Sequence, residues 1–230
     1  MALGKFEVFV GWKRLPDIQS LFTNIPTMKS RFLKHQTQFN HETLKKLVGD
    51  ILSLPDDDIT SIYNNLRSTP KSDFGMHYSY IPDLLPRLAE QYNASDPGTL
   101  IALLTMNYLV LQKGDAIYVP ADGIHAYLSG DIVECMARSD NVLNTCFCPR
   151  AVRHSVELFT AALTFSPRSA EEAVLKPRPS EKRRVGRTKV SAPPMSEFDM
   201  LVTELEGKES ETITGLGGPG ILVVTGEKGC

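Results

Sequence analysis

Gly114-Asp-Ala-Ile-Tyr-Val-Pro-Ala-Asp-Gly-Ile-His-Ala-Tyr-Leu-Ser-Gly-Asp131 is the stretch on which the reading of the fold turns. Ile117 and Val119 alternate with Ala116 and Tyr118, the period of two expected of a half-buried strand. Pro120 lacks a backbone donor and stops that strand, and Ala121-Asp-Gly123 supplies turn chemistry. A second strand begins as His125 is reached. The stretch predicts two short strands around a tight turn, with an imidazole at the entrance to the second. In small antiparallel barrels such turns ring the mouth, where metals and small ligands are held. His125 is therefore the first candidate ligand, and its partners have to be sought elsewhere in the chain.

The chain has 230 residues, enough for one large domain or two small ones, and at 42% hydrophobic residues it can build a core. A net charge of −2 gives no footing for a nucleic acid or an acidic surface as partner. No apolar run approaches the roughly 20 residues of a membrane-spanning helix. The opening Met1-Ala-Leu-Gly-Lys-Phe-Glu7 lacks the charged-then-apolar form of a secretory signal. Cys135, Cys146, Cys148 and Cys230 are too few for a disulfide scaffold and read as reduced thiols of a cytoplasmic protein.

Away from the central stretch, Phe6 to Gly11 reads as a strand and Pro16 to Phe22 as a short helix with proline at its start. Leu44, Leu47, Val48, Ile51 and Leu52 fall at helical spacing behind Asn40, a suitable N-cap. Asp56 to Asp58 opens a second helix, acidic where the helix dipole favours it, with Ile59, Ile62, Tyr63 and Leu66 on one face. Leu84 to Tyr92 predicts a third helix. Leu100 to Leu111 predicts helix first and strand near its end. Val152, Val156, Phe159 and Leu163 predict helix within 151–165. Lys176 to Lys189 holds seven basic residues and two prolines with almost nothing apolar, and predicts a solvated connector. Segments 198–205, 211–214 and 220–225 predict a strand meander.

Several of these segments resemble type I mannose-6-phosphate isomerase, also called phosphomannose isomerase. The longest is His125-Ala-Tyr-Leu-Ser-Gly-Asp-Ile-Val-Glu-Cys-Met-Ala137, followed by Ser139-Asp-Asn141. Met1-Ala-Leu3 with Phe6-Glu7 and Gly11, Asn107-Tyr108 within 104–111, Gly114-Asp-Ala116, Glu197-Phe198 and Gly220 to Thr225 add to it. The resemblance implies a mainly β fold: an incomplete cupin-type (jelly-roll) barrel, an inserted helical domain, and the start of a second cupin-type barrel. It divides the chain into 1–37 (β/helix segment of the first barrel), 38–98 (helical), 99–166 (barrel with the His125 motif), 167–194 (basic connector) and 195–230 (start of the second barrel).

The resemblance also implies a chemistry. The family uses zinc to interconvert mannose 6-phosphate and fructose 6-phosphate in the cytoplasm, feeding GDP-mannose synthesis. A divalent metal suits the task because negative charge develops on adjacent oxygens as the proton moves. His125 matches a zinc-ligand histidine. Tyr127 and Glu134 match residues lining the same pocket, Asp140 falls in the matched Ser-Asp-Asn run, and Arg150 stands where the family has the lysine of Thr-Pro-Lys.

Two departures go with it. Asn144 replaces the family's active-site arginine. Exchanging a fixed charge with five donors for a neutral amide is expected to cost about 2.7–4 kcal/mol of transition-state stabilisation. The family's other three zinc ligands, from a Gln-x-His pair and a Lys-Pro-Glu run, have no match here, and the chain reads as the middle of a larger protein. His125 alone is short of the three protein ligands of a catalytic zinc. His35, His41, His77 and His154 read as surface or capping residues. A thiolate site of Cys135, Cys146, Cys148 and His125 lacks the usual zinc-knuckle spacing, and an unrelated cupin-type oxygenase lacks its second histidine. Low or absent isomerase turnover is expected. The alternative is a non-catalytic relative that binds sugar phosphate through Tyr127, Glu134 and Arg150, or that regulates a complete isomerase.

Overall fold

The structure is a computed structural model that describes residues 1–33, 39–138, 142–195 and 197–226. In chain order it forms β1 (Phe6–Trp12), α1 (Leu15–Asn24), α2 (Pro26–Phe32), α3 (His41–Leu52), α4 (Asp56–Ser68), α5 (Ile81–Gln91), α6 (Pro97–Thr105), β2 (Met106–Leu111), β3 (Ala116–Ile117), β4 (His125–Ser129), α7 (Val156–Ala162), β5 (Val174–Leu175), β6 (Arg178–Pro179), β7 (Thr188–Ser191) and β8 (Met200–Thr203).

β1 organises the molecule. It lies between β2 and β4, antiparallel to both. Because side chains alternate along a strand, its two faces meet different surroundings. Phe6, Val8 and Val10 join Ala2, Leu111 and Ala173 in a small apolar cluster. Phe9 faces the other way, into the large core shared with the helices. Gly11 sits at a bulge between Val10 and Trp12 with φ +61°, a conformation glycine takes without a Cβ penalty. Beyond the bulge, Trp12 enters the large core, stacks on Phe165 at 4.9 Å and donates its indole N–H to the Thr164 carbonyl at 2.8 Å.

The helices follow the apolar spacing. Asn40 caps α3, its side chain accepting from the Thr43 amide at 2.9 Å. Asp56 to Asp58 fill the first turn of α4. α6 is buried at every position, which explains its uninterrupted apolar run, and Asp96 caps it through the Gly98 amide at 2.8 Å. The helix passes directly into β2, so the apolar segment 100–111 does change from helix to strand.

Other expectations are corrected. The described residues are mixed α/β, not mainly β, because six of the seven helices precede β2 and build most of the large core. α2 was not expected; its single buried residue, Met28, is too little to show a period. β3 and β4 flank the turn as predicted but belong to different sheets: β3 pairs with β5, and β4 with β1. The basic stretch 176–189 is not simply a solvated connector, for β6, β7 and β8 form a three-stranded sheet. Thr188, Val190 and Ser191 are buried there, and Ser180 turns inward at its edge. Of the meander, only Met200–Thr203 forms a named strand; Ile213 makes an isolated bridge to Arg183, and 220–226 carries no regular structure. Ile221 and Leu222 are almost fully exposed, so strand-like composition finds no partner to pair with.

Lys13 lies at the junction of sheet and helices, 1% exposed. Its ammonium donates to the Leu103 carbonyl at 3.0 Å and to the Met106 carbonyl, capping the end of α6, and faces the rings of Tyr78 and Tyr80 at 5.3 and 5.9 Å. Burial pushes its pKa down to about 7, with Asp17 opposing the fall. Between about pH 7 and the ordinary lysine value the unfolded chain holds a proton that the folded chain has lost, so folding strengthens as pH rises through that window. Above about pH 10 the sign reverses. Burial raises the pKa values of Tyr80, Tyr108 and Tyr127, so the unfolded chain ionises first. Denaturation midpoints are expected to climb from pH 7 to 9.5 and to flatten in Lys13→Met; a flat wild-type profile would disprove the assignment.

Candidate functional site

His125 opens β4, opposite Val10 of β1, and Tyr127 lies opposite Val8. Both therefore lie on the side of the sheet that carries the small cluster, while Ala126 and Leu128 face the helices. The His125 ring is exposed, and its Nδ1 lies 3.0 Å from the Gly123 carbonyl. As the donor there, Nδ1 carries the proton and Nε2 presents a lone pair, the tautomer a metal-binding histidine adopts. The turn that stops β3 thus also orients the imidazole.

One step along the same face, the Tyr127 hydroxyl donates to Glu134 at 2.6 Å, and its ring centroid lies 5.5 Å from that of His125. Burial, together with this bond, raises the Tyr127 pKa, so the phenol stays protonated. Imidazole, phenol and carboxylate form one polar strip.

Asn144 and Arg150 lie in a different neighbourhood. Asn144 is exposed, and its carbonyl accepts from the His154 amide at 2.7 Å. The Arg150 guanidinium pairs with Asp56 at the start of α4. Among the described residues no hydrogen bond or ion pair joins either to His125, Tyr127 or Glu134. Asp140 and His35 fall outside the described residues, as does Cys230. His41 lies 2.5 Å from the Phe165 carbonyl, and His77 is exposed.

No group of three histidine, cysteine, aspartate or glutamate side chains among the described residues is arranged to hold a metal. The thiolate alternative is therefore not assembled. Cys146 packs against Gly98 and Asp96, and burial, with Asp96 adding to it, pushes its thiol up to about 12. His125 fits the role of a zinc ligand, but the described residues as a set do not fit a zinc site.

Two supports escaped the sequence reading. Glu7 on β1 accepts from Ser129 on β4 at 2.6 Å, from Tyr108 on β2 and from Arg87 on α5 at 2.8 Å. Burial pushes its pKa up, but these three donors outweigh it and hold the carboxyl at about 2. Asp96, 2% exposed, accepts from Gly98, Phe147 and Arg153, which pins the segment carrying Asn144 and Arg150 to the start of α6. Each lies in a local pattern of ordinary polarity; only the three-dimensional convergence of donors singles it out.

Known proteins are similar to this chain in sequence and in fold. The mannose-6-phosphate isomerase of Ogataea parapolymorpha is 32% identical over 242 residues, covering 100% of this chain and 56% of that protein. That of Candida albicans is 30% identical over 256 residues, covering 100% of this chain and 57% of that protein. Over a little more than half of their length, the chain resembles the mannose-6-phosphate isomerases. Among solved structures, a zinc-bound mannose 6-phosphate isomerase superposes with a TM-score of 0.70 at 25% identity, covering 89% of this chain and 49% of that one. A lysine-to-alanine variant of phosphomannose isomerase from Salmonella typhimurium gives 0.71 at 25% identity, with the same coverage. No family model matches. The chain spans a little over half the length of the curated mannose-6-phosphate isomerases it matches. Zinc enters through this relationship, and no helix of the described residues is long and apolar enough to cross a membrane.

Proposed function

We propose that the chain supplies the His125 face of a mannose-6-phosphate isomerase site and has impaired turnover of its own. The observation carrying this reading is the strip in which His125, fixed by the Gly123 carbonyl, stands beside the hydrogen-bonded Tyr127–Glu134 pair. In this reading His125 is a zinc ligand. Tyr127 and Glu134 line the sugar pocket and offer a donor and an acceptor for its hydroxyls. The substrates are mannose 6-phosphate and fructose 6-phosphate, the setting is the cytoplasm, and the product side supports GDP-mannose synthesis. Segments 1–37 and 99–166 belong to one cupin-type barrel, 38–98 to a helical insertion, and 195–230 to a second cupin-type barrel.

Impairment follows from the donors that are present. Among the described residues, no three histidine, cysteine, aspartate or glutamate side chains come together to hold a metal. Asn144, at the position of the family's arginine, faces solvent and holds His154 instead. That second fact also favours a non-catalytic sugar-phosphate-binding or regulatory relative. A coupled assay from mannose 6-phosphate to fructose 6-phosphate, with zinc supplied and the Candida albicans isomerase run in parallel, separates the readings. Turnover at least ~10²–10³ below that enzyme is expected from the missing arginine alone. Binding of mannose 6-phosphate with no measurable turnover selects the non-catalytic reading. Near-equal turnover, with one zinc retained per chain, refutes the impairment.

A further inference from the structure

Arg168 is the arginine near the His125 turn that the strip does not use. Its backbone is fixed: its amide donates to the Trp12 carbonyl at 3.1 Å, and its carbonyl accepts from the Asn107 side chain at 3.0 Å. Its side chain crosses the Gly11 bulge, where a Cβ in place of the glycine hydrogen would stand 4.0 Å from Nε. It lines a cleft of about 10 Å³, room for one water, with Val10, Tyr118, Pro120, Gly123 and Ile124, so a phosphate would meet the guanidinium at the cleft mouth. These are the residues that bracket His125: Val10 lies opposite it, Ile124 precedes it, and the Gly123 carbonyl holds its ring.

The surroundings leave this guanidinium unmatched. Arg87, Arg150 and Arg153 are each paired with a carboxylate. Among the described residues, no carboxylate, carbonyl or hydroxyl accepts from the Arg168 side chain. A half-buried guanidinium offers five donors in a planar fork that matches two oxygens of a phosphate. A cation carried on fixed backbone into a cleft, with its donors unfilled, suits an anionic ligand better than it suits packing.

We propose that Arg168 binds the phosphate of a sugar phosphate whose sugar end lies toward His125, and that Arg150, occupied by Asp56, does not. The sugar-phosphate part rests on the isomerase-type reading; the anion site does not. The test is calorimetric titration of the folded chain with inorganic phosphate, then with mannose 6-phosphate, in wild type, Arg168→Lys, Arg168→Gln and Arg150→Ala. Circular dichroism checks that each variant folds, and Arg168→Lys keeps the charge if Arg168→Gln does not fold. Phosphate affinity is expected to fall at least tenfold in Arg168→Gln and less in Arg168→Lys. Wild-type affinity in Arg168→Gln, loss confined to Arg150→Ala, or no phosphate binding by the wild type would each overturn the site. If mannose 6-phosphate binds no tighter than phosphate but both depend on Arg168, the isomerase-type reading fails and the anion site stands. If mannose 6-phosphate binds tightly and ignores Arg168, the reading survives and the site does not.

Discussion

Replacing Asp96 by alanine is expected to lower the free energy of unfolding by about 3–5 kcal/mol, the usual consequence of removing one partner of a buried ion pair. The loss has several sources. Arg153, whose guanidinium lies 2.7 Å from the carboxylate and is 16% exposed, is left as an uncompensated charge. The first turn of α6 loses its cap at Gly98, and the Phe147 amide loses its acceptor. α6 is buried along its whole length, so fraying at its start opens the large core. Asp96→Asn keeps an acceptor for the cap but not the charge and should fall between alanine and wild type. Urea denaturation measures the difference; a loss below about 1 kcal/mol would show that the clasp contributes no more than a surface pair. The same substitution releases the 144–153 segment, so the exchange of the Phe147 amide with solvent should quicken in step.

Gly130→Ala is expected to cost about 3 kcal/mol or more, through backbone strain together with overpacking. Gly130 follows β4 with φ +99°, and a Cβ there would stand 2.4 Å from the Lys5 carbonyl oxygen and 2.9 Å from the Phe6 Cα. Both obstacles are backbone, so neither can rotate away. Relief requires β4 to move off β1, and β4 carries His125 and Tyr127. The variant should therefore melt earlier and also shift the His125 ring resonances in an NMR spectrum. Gly4→Ala, with nothing within 4 Å of the added carbon, is the matched control. Equal stability for the two variants would mean that the strand end is looser than its geometry indicates.

The parts of the fold that follow local periodicity were legible. The N-cap at Asn40, the acidic first turn of α4 and the helix-to-strand change within 100–111 each depend on neighbours a few residues apart. The position of His125 at the start of a strand was readable for the same reason, since Pro120 and Gly123 announce the turn. Pairing was less accessible. Nothing near 114–131 shows that β3 pairs with β5, some 58 residues away, or that β4 pairs with β1 across more than a hundred. The basic stretch misled because most of its charges are exposed, while only Ser180 and Thr188 within it are buried, a small fraction of the segment. The strip at His125 was marked by resemblance, whereas Glu7, Asp96 and Arg168 gain their character only from groups brought together by the fold.

Among the described residues, the sheet order β2-β1-β4 places the histidine strand on the outside. Along its far side, backbone donors and acceptors can receive a further chain segment about 4.8 Å away. A segment laid there would take its register from the very residues that carry the imidazole and the phenol. Extending the sheet on that side would therefore change the surroundings of His125 directly.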